Sequence, residues 1–148
     1  MSIVNGAEVL DNITAAQFEE ILQKMNYMSV AYSSLVISPT ISLFSNQSVA
    51  ASGTVRNTTA VSTGACAKVQ ITYSLAGTST SCTLNIYGTS HYDLTNASIL
   101  ATLTLAAGST PVTFSIEPSW IPAFTFAELV NTDTSNTAVG NVEMVTWT

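Results

Sequence analysis

A chain of 148 residues, 47% of them hydrophobic and only 8% charged, is long enough to core one domain and too short for two; its charged share lies far below the roughly 25% of an average soluble protein. The formal charge is −6, with Lys24, Arg56 and Lys68 as the three fixed cations. Nucleic-acid affinity comes largely from lysines and arginines neutralising phosphates, so this balance argues against a DNA- or RNA-binding surface, and against anionic membranes on the same count.

The opening MSIVNGAEVLDN has neither the basic nor the apolar region of a signal peptide, and no run approaches the roughly 18 apolar residues of a membrane span. The expectation is a soluble chain made in the cytoplasm. Four Asn-x-Ser/Thr matches, at Asn12, Asn46, Asn57 and Asn96, are what chance supplies in so hydroxyl-rich a chain. A surface of Ser, Thr, Asn and Ala incurs little ionic desolvation when a neighbour packs on it, which suits a protein living in an assembly. The Thr-richness of β-sandwiches accounts for the same composition equally well.

Residues 1–12 read as an arm: Ile3, Val4, Val9 and Leu10 are apolar, but Asn5, Gly6, Asp11 and Asn12 interrupt any period. It packs on its own domain or reaches a neighbouring subunit. A helix follows over Thr14–Met25. Thr14 and Gln17 form a capping box, Ile13 and Phe18 a hydrophobic staple, and Phe18, Ile21, Leu22 and Met25 recur at i, i+3, i+4 and i+7 to make one apolar face. So short a helix must pack that face on something. Residues 26–34 are a linker or an irregular continuation, which divides the chain into an arm-and-helix segment, 1–34, and a β domain, 35–148.

The β domain begins with a strand in Leu35–Phe44, whose first half Pro39 confines to an edge or bend. A long polar loop, Ser45–Gly64, holds a short candidate strand at Gly53–Arg56. In AKVQITYSLAGTSTSCTLNIYG, Ala67 to Gly88, two stretches of period-two alternation flank a small polar break and read as a central hairpin. Ile99–Leu105, Val112–Ile116, Ala123–Val130 and Val139–Trp147 complete the set, with a proline-bracketed corner at Glu117–Pro122 and a dense turn signal at Asn131–Thr137. The predicted class is mainly β, an antiparallel, jelly-roll-like sandwich of about eight strands. In such a hairpin Cys66 and Cys82 lie roughly 25 Å apart, far beyond the ~7 Å a disulfide allows, so two free thiols are expected.

Chemistry is sparse. His91 is the single histidine, lacks a Gly-x-Ser-x-Gly elbow and shares a turn with Asp93; no ligand set for a metal or cofactor is present. Glu117, Glu128 and Glu143 are the candidates for a paired-carboxylate site, with solvent-facing side chains as the ordinary explanation. The expectation is that the protein is not an enzyme. Tyr87, Tyr92 and Trp120 are candidate glycan contacts, each also a plausible packing residue.

The apolar arm (Ile3–Leu10), the capped helix (Thr14–Met25), the Thr/Ser/Asn-rich sandwich, the corner at Trp120, and the strands running into Val130–Asp133 and through Val142 and Met144 together resemble the small decoration, or cement, proteins of tailed-bacteriophage capsids. The resemblance implies a non-enzymatic virion protein on the capsid surface, made in the host cytoplasm, with the major capsid protein as partner and often forming a homotrimer. Its assembly contacts would be Ile3, Val4, Val9, Leu10, Ile13, Phe18, Ile21, Leu22 and Met25. The alternative is a tail-fibre or adhesin-type sandwich that binds glycans.

Overall fold

Strict alternation of apolar and hydroxyl-bearing residues turns most of the chain beyond Thr40 into strands. The computed structural model describes residues 19–20, 37–116 and 121–148. The chain divides into two compact units, Met1–Val36 and Ile37–Thr148. Of the first, Glu19 and Glu20 are described; both are helical and exposed, as the polar side of the predicted helix requires. The remainder of the arm and helix, with every apolar assembly position from Ile3 to Met25, lies outside the described residues, as does Trp120.

The described residues of the second unit hold nine strands: β1 (Ile41–Val49), β2 (Thr54–Arg56), β3 (Val61–Ser62), β4 (Lys68–Gly77), β5 (Cys82–Thr89), β6 (Ser98–Leu105), β7 (Val112–Ile116), β8 (Phe124–Asn131) and β9 (Ala138–Trp147). They form two sheets, ordered β1-β9-β4-β7 and β2-β8-β5-β6, with β3 also pairing β8; every pairing is antiparallel. Since β2 and β3 both pair with β8, they act as one interrupted strand. The result is an eight-stranded double Greek key, the jelly roll.

This topology corrects the central hairpin. β4 pairs with β9 and β7, whereas β5 pairs with β6 and β8, so the two halves of Ala67–Gly88 lie in opposite sheets. Their connection crosses over the end of the core. Gly77, at φ 87°, ends β4, and the amides of Thr78 and Ser79 both donate to the Thr137 carbonyl. The pair joined within one sheet is β5–β6. Alternation sets which face a residue occupies, not which strand lies beside it.

The core is the space between the inner faces. Val69, Ile71, Tyr73 and Leu75 of β4 meet Cys82, Leu84 and Ile86 of β5, joined by Ala127 and Leu129 of β8 and by Val142 and Met144 of β9. Each large aliphatic side chain buried there contributes about 1.5–3 kcal/mol. Tyr73 donates its hydroxyl to the Cys82 carbonyl at 3.0 Å, so its one polar atom is satisfied across the core and links the sheets. Burial pushes its phenol, and the Cys82 thiol, upward in pKa. Cys66 and Cys82 are both free, although the hairpin that motivated that expectation does not form.

Other boundaries shift as well. The predicted first strand begins only at Ile41, Ile37 contributing an isolated bridge to Trp147, and the supposed loop Ser45–Gly64 contains the end of β1, β2 and β3. Trp147 ends a strand in the middle of its sheet, with the Lys68 ammonium 4.7 Å above its ring.

Candidate functional site

Rare charges in a nearly uncharged surface are informative, and two of them meet on the outer face of the five-stranded sheet. Alternation along β2 and β8 turns Arg56 and Glu128 outward, and the register pairs them directly. Arg56 donates from Nε at 3.0 Å and from a terminal nitrogen at 2.8 Å, both to Glu128 Oε2. The other oxygen, Oε1, accepts from Asn85 Nδ2 at 3.2 Å and from the Tyr87 hydroxyl at 3.1 Å. Asn85 in turn accepts from Thr102 at 2.9 Å, so one network runs across β2, β8, β5 and β6.

The apolar part of the site lies one register step along. Tyr87 stacks on Phe126, its directly paired neighbour, with ring centroids 5.0 Å apart and planes 5° from parallel. The Arg56 guanidinium is 4.8 Å from the first ring centroid and 5.6 Å from the second. Three nearly equal separations place the cation against the stacked pair as a unit, a cation–π arrangement. Further along the face, Tyr92 of the 90–97 loop meets Phe124 edge-on at 5.7 Å. Tyr92 is 62% exposed and Ile99, paired with Tyr87, is 53% exposed.

The electrostatics describe a held charge, not a proton shuttle. Burial raises the Glu128 pKa, but the donors Arg56, Asn85 and Tyr87 outweigh it and hold the carboxyl below its ordinary value. With four donors on two oxygens, little acceptor capacity is left for a general base. Glu143 points away from the opposite sheet, where it pairs with Ser42 and Thr72; Glu128 and Glu143 therefore lie on opposite outer faces and cannot flank one bond. His91 meets Ser90 Oγ at 3.1 Å, while Asp93 spends its carboxylate on the Thr95 amide and hydroxyl. Among the described residues no three His, Cys, Asp or Glu side chains cluster to hold a metal.

Of the proposed glycan contacts, Tyr87 is thus engaged by Phe126, Arg56 and Glu128, and Tyr92 stands exposed. Arg56 was not singled out from the sequence; its signal was its rarity, as one of three cations on a strand of alternating exposure.

A second polar cluster, at the end of the sandwich, has a structural role. Asp133 accepts from the Thr80 amide at 2.8 Å, the Thr80 hydroxyl at 2.9 Å, the Ser135 amide at 2.8 Å, and the backbone and side-chain nitrogens of Asn136, each at 3.0 Å. These donors hold its carboxyl far below the usual range. A carboxyl depressed on folding contributes stability that is complete above its unfolded pKa, near 3.9, and is lost as the pH falls toward its folded value. The melting temperature is therefore expected to hold from neutrality to about pH 5 and to fall below about pH 4. Asp133→Asn should flatten that acid limb; an unchanged slope in melting curves across pH would show that other groups dominate it.

No protein-family model matches the sequence, and no curated protein matches it. A solved structure does share the fold. The PBSX exported protein XepA superimposes with a TM-score of 0.55 at 14% identity over 74% of this chain and 37% of that chain. A Bacillus endospore appendage pilus protein gives 0.46 at 11% identity, covering 77% and 88% of the two chains. The infectious bursal disease virus VP2 subviral particle gives 0.44 at 12% identity, covering 76% and 32%. This chain spans little more than a third of XepA, and at such identities the likeness is one of fold.

Proposed function

We propose that this chain is a virion structural protein, a non-enzymatic decoration or cement protein of a capsid surface that bridges major capsid protein subunits. The observation that carries the reading is the chemistry of the outer faces. Arg56 and Glu128 neutralise each other, Lys68 sits over Trp147, and cross-strand hydroxyl pairs join them, Thr72 with Thr113 at 2.9 Å and Thr83 with Thr104 at 2.7 Å, with Glu143 as an exposed carboxylate on the four-stranded face. A surface with so few ions can be covered by a neighbour at little cost in ionic desolvation. The jelly roll is a recurrent capsid architecture, and the likeness to the PBSX exported protein XepA supports the reading at the level of fold.

Many copies, each touching two or more subunits, convert modest contacts into avidity. The segment before the sandwich supplies the apolar contacts in this reading, through Ile3, Val4, Val9, Leu10, Ile13, Phe18, Ile21, Leu22 and Met25. The test is co-sedimentation with purified heads of the encoding virus, alongside the native mass in solution. The full chain is expected to pellet with heads and a chain lacking residues 1–26 to remain in the supernatant. Binding that survives the deletion removes the segment's role; a full chain indifferent to heads overturns the proposal.

One observation favours a second reading, a glycan-binding adhesin domain: Tyr92, exposed and braced edge-on by Phe124, offers a ring of the kind sugars pack against. A glycan array on which the protein binds and Tyr92→Ala does not would select this reading.

A further inference from the structure

The two flanks of the sandwich are closed differently. On one side the outermost strands are β1 and β2. β1 carries two register shifts and a left-handed residue at Asn46, φ 46°; β2 is three residues long and bears Arg56. Irregularity, brevity and charge are how sheet edges avoid pairing with other chains. On the opposite side the outermost strands are β6 and β7, and neither Ser98–Leu105 nor Val112–Ile116 contains a charge or a proline. Between them opens an apolar groove of about 200 Å³ lined by Ala101, Thr102, Leu103, Val112 and Phe114.

We infer that this flank pairs with a second copy of the chain, β6 against β6 antiparallel about a two-fold axis at Leu103. The strand is self-complementary there. The register with β5 slips at Leu100 and is regular from Ala101 to Leu105. About Leu103, Thr102 falls opposite Thr104 of the second copy and Ala101 opposite its Leu105. Residues directly opposed in a sheet share a face, so hydroxyls meet hydroxyls outside and small meets large within. The Thr83–Thr104 bond across β5 and β6 is the same pairing made inside one chain.

Charge selects a second copy over a charged partner. At −6 two copies repel overall, but neither β6 nor β7 brings a like charge to the contact. The two five-stranded sheets become one, and Phe114 and Val112 gain cover over the groove. The contact is isologous and closes at two, a copy number that departs from the trimer the resemblance implies. It stands independently of capsid binding.

Sedimentation velocity over a concentration series should show a monomer–dimer equilibrium. Thr102→Lys with Thr104→Lys should abolish the dimer while leaving the circular dichroism spectrum unchanged. A protein that stays monomeric at high concentration, one that forms trimers, or a folded double-lysine variant that still dimerises overturns the inference. Should the lysine variant misfold, a mixture of Thr102→Cys and Thr104→Cys chains decides the question. Oxidation is expected to bridge position 102 of one copy to position 104 of the other by peptide mass mapping, and absence of that bridge overturns the two-fold at Leu103.

Discussion

Asn131→Ala should be among the most damaging single truncations in the sandwich, lowering stability by about 3–5 kcal/mol. Asn131 is 1% exposed and ends β8 with its side chain turned into the core end. Its amide nitrogen donates to the carbonyls of Val49 and Ala50, each at 3.1 Å, and of Asn136 at 2.8 Å. Its oxygen accepts from the Ser79 hydroxyl at 2.8 Å and the Asp133 amide at 3.1 Å. One side chain therefore ties the end of β1, the β4–β5 crossing and the β8–β9 turn together. Alanine removes all five bonds; those to Val49, Ser79 and Asp133 are buried, and a buried group left without its partner costs about 1–3 kcal/mol when water cannot reach it. For a domain of this size the loss corresponds to a fall of about 10–20 °C in melting temperature.

Asn131→Asp, nearly the same shape, sharpens the test by turning a carboxylate toward three carbonyl oxygens and should be no better than alanine. Urea unfolding reads both variants as a lower midpoint with an unchanged slope. A loss below about 1 kcal/mol would mean that the turn reorganises and supplies its own partners.

Gly77→Ala should cost about 2–4 kcal/mol. Two effects add. At φ 87° a side chain is held in the left-handed region, at about 1–2 kcal/mol. A Cβ there would also lie 2.8 Å from the Thr137 carbonyl oxygen, which cannot retreat because it accepts from both Thr78 and Ser79. Gly108 separates the two effects. Its φ is 81°, yet nothing lies within 4 Å of an added Cβ, so Gly108→Ala reports the conformational cost alone. Equal losses for the two variants in thermal melts would show that the Thr137 contact carries no weight. Gly140→Ala is intermediate: its Cβ would meet the Leu129 side chain at 2.5 Å, and a side-chain end gives way where a carbonyl does not, at about 1–3 kcal/mol of overpacking.

The candidate site and the end cluster were legible to different degrees. Tyr87 and Tyr92 were visible as aromatics among small polar residues, but the sequence carried no sign that Tyr87 stacks on Phe126 under Arg56, because those three residues come from β5, β8 and β2. Asn131–Thr137 was plain as a turn from its Asn, Asp, Ser and Thr content. That Asn131 and Asp133 bind the neighbouring loops as well as their own turn was not, since their partners at Val49, Ala50, Ser79 and Thr80 are remote in sequence.

What the sequence by itself determined is local: which residues are extended, which face of each strand is apolar, and where the chain turns. Period-two alternation in β4, β5, β6 and β9 was sufficient for a two-sheet antiparallel sandwich, because such a strand must bury one face and leave the other in water. Only the tertiary structure decided partnership. Val69–Leu75 and Cys82–Ile86 are equally apolar on their inner sides, and a short polar connection suits a hairpin as well as a crossing between sheets. The choice fell to distant residues: the ten-residue pairing of β4 with β9, the Thr137 carbonyl that receives the chain after Gly77, and the Tyr73 hydroxyl that reaches across the core to Cys82. Alternation is a property of one strand, whereas a sheet is a set of bonds between strands, and those bonds are made by residues the local pattern does not contain.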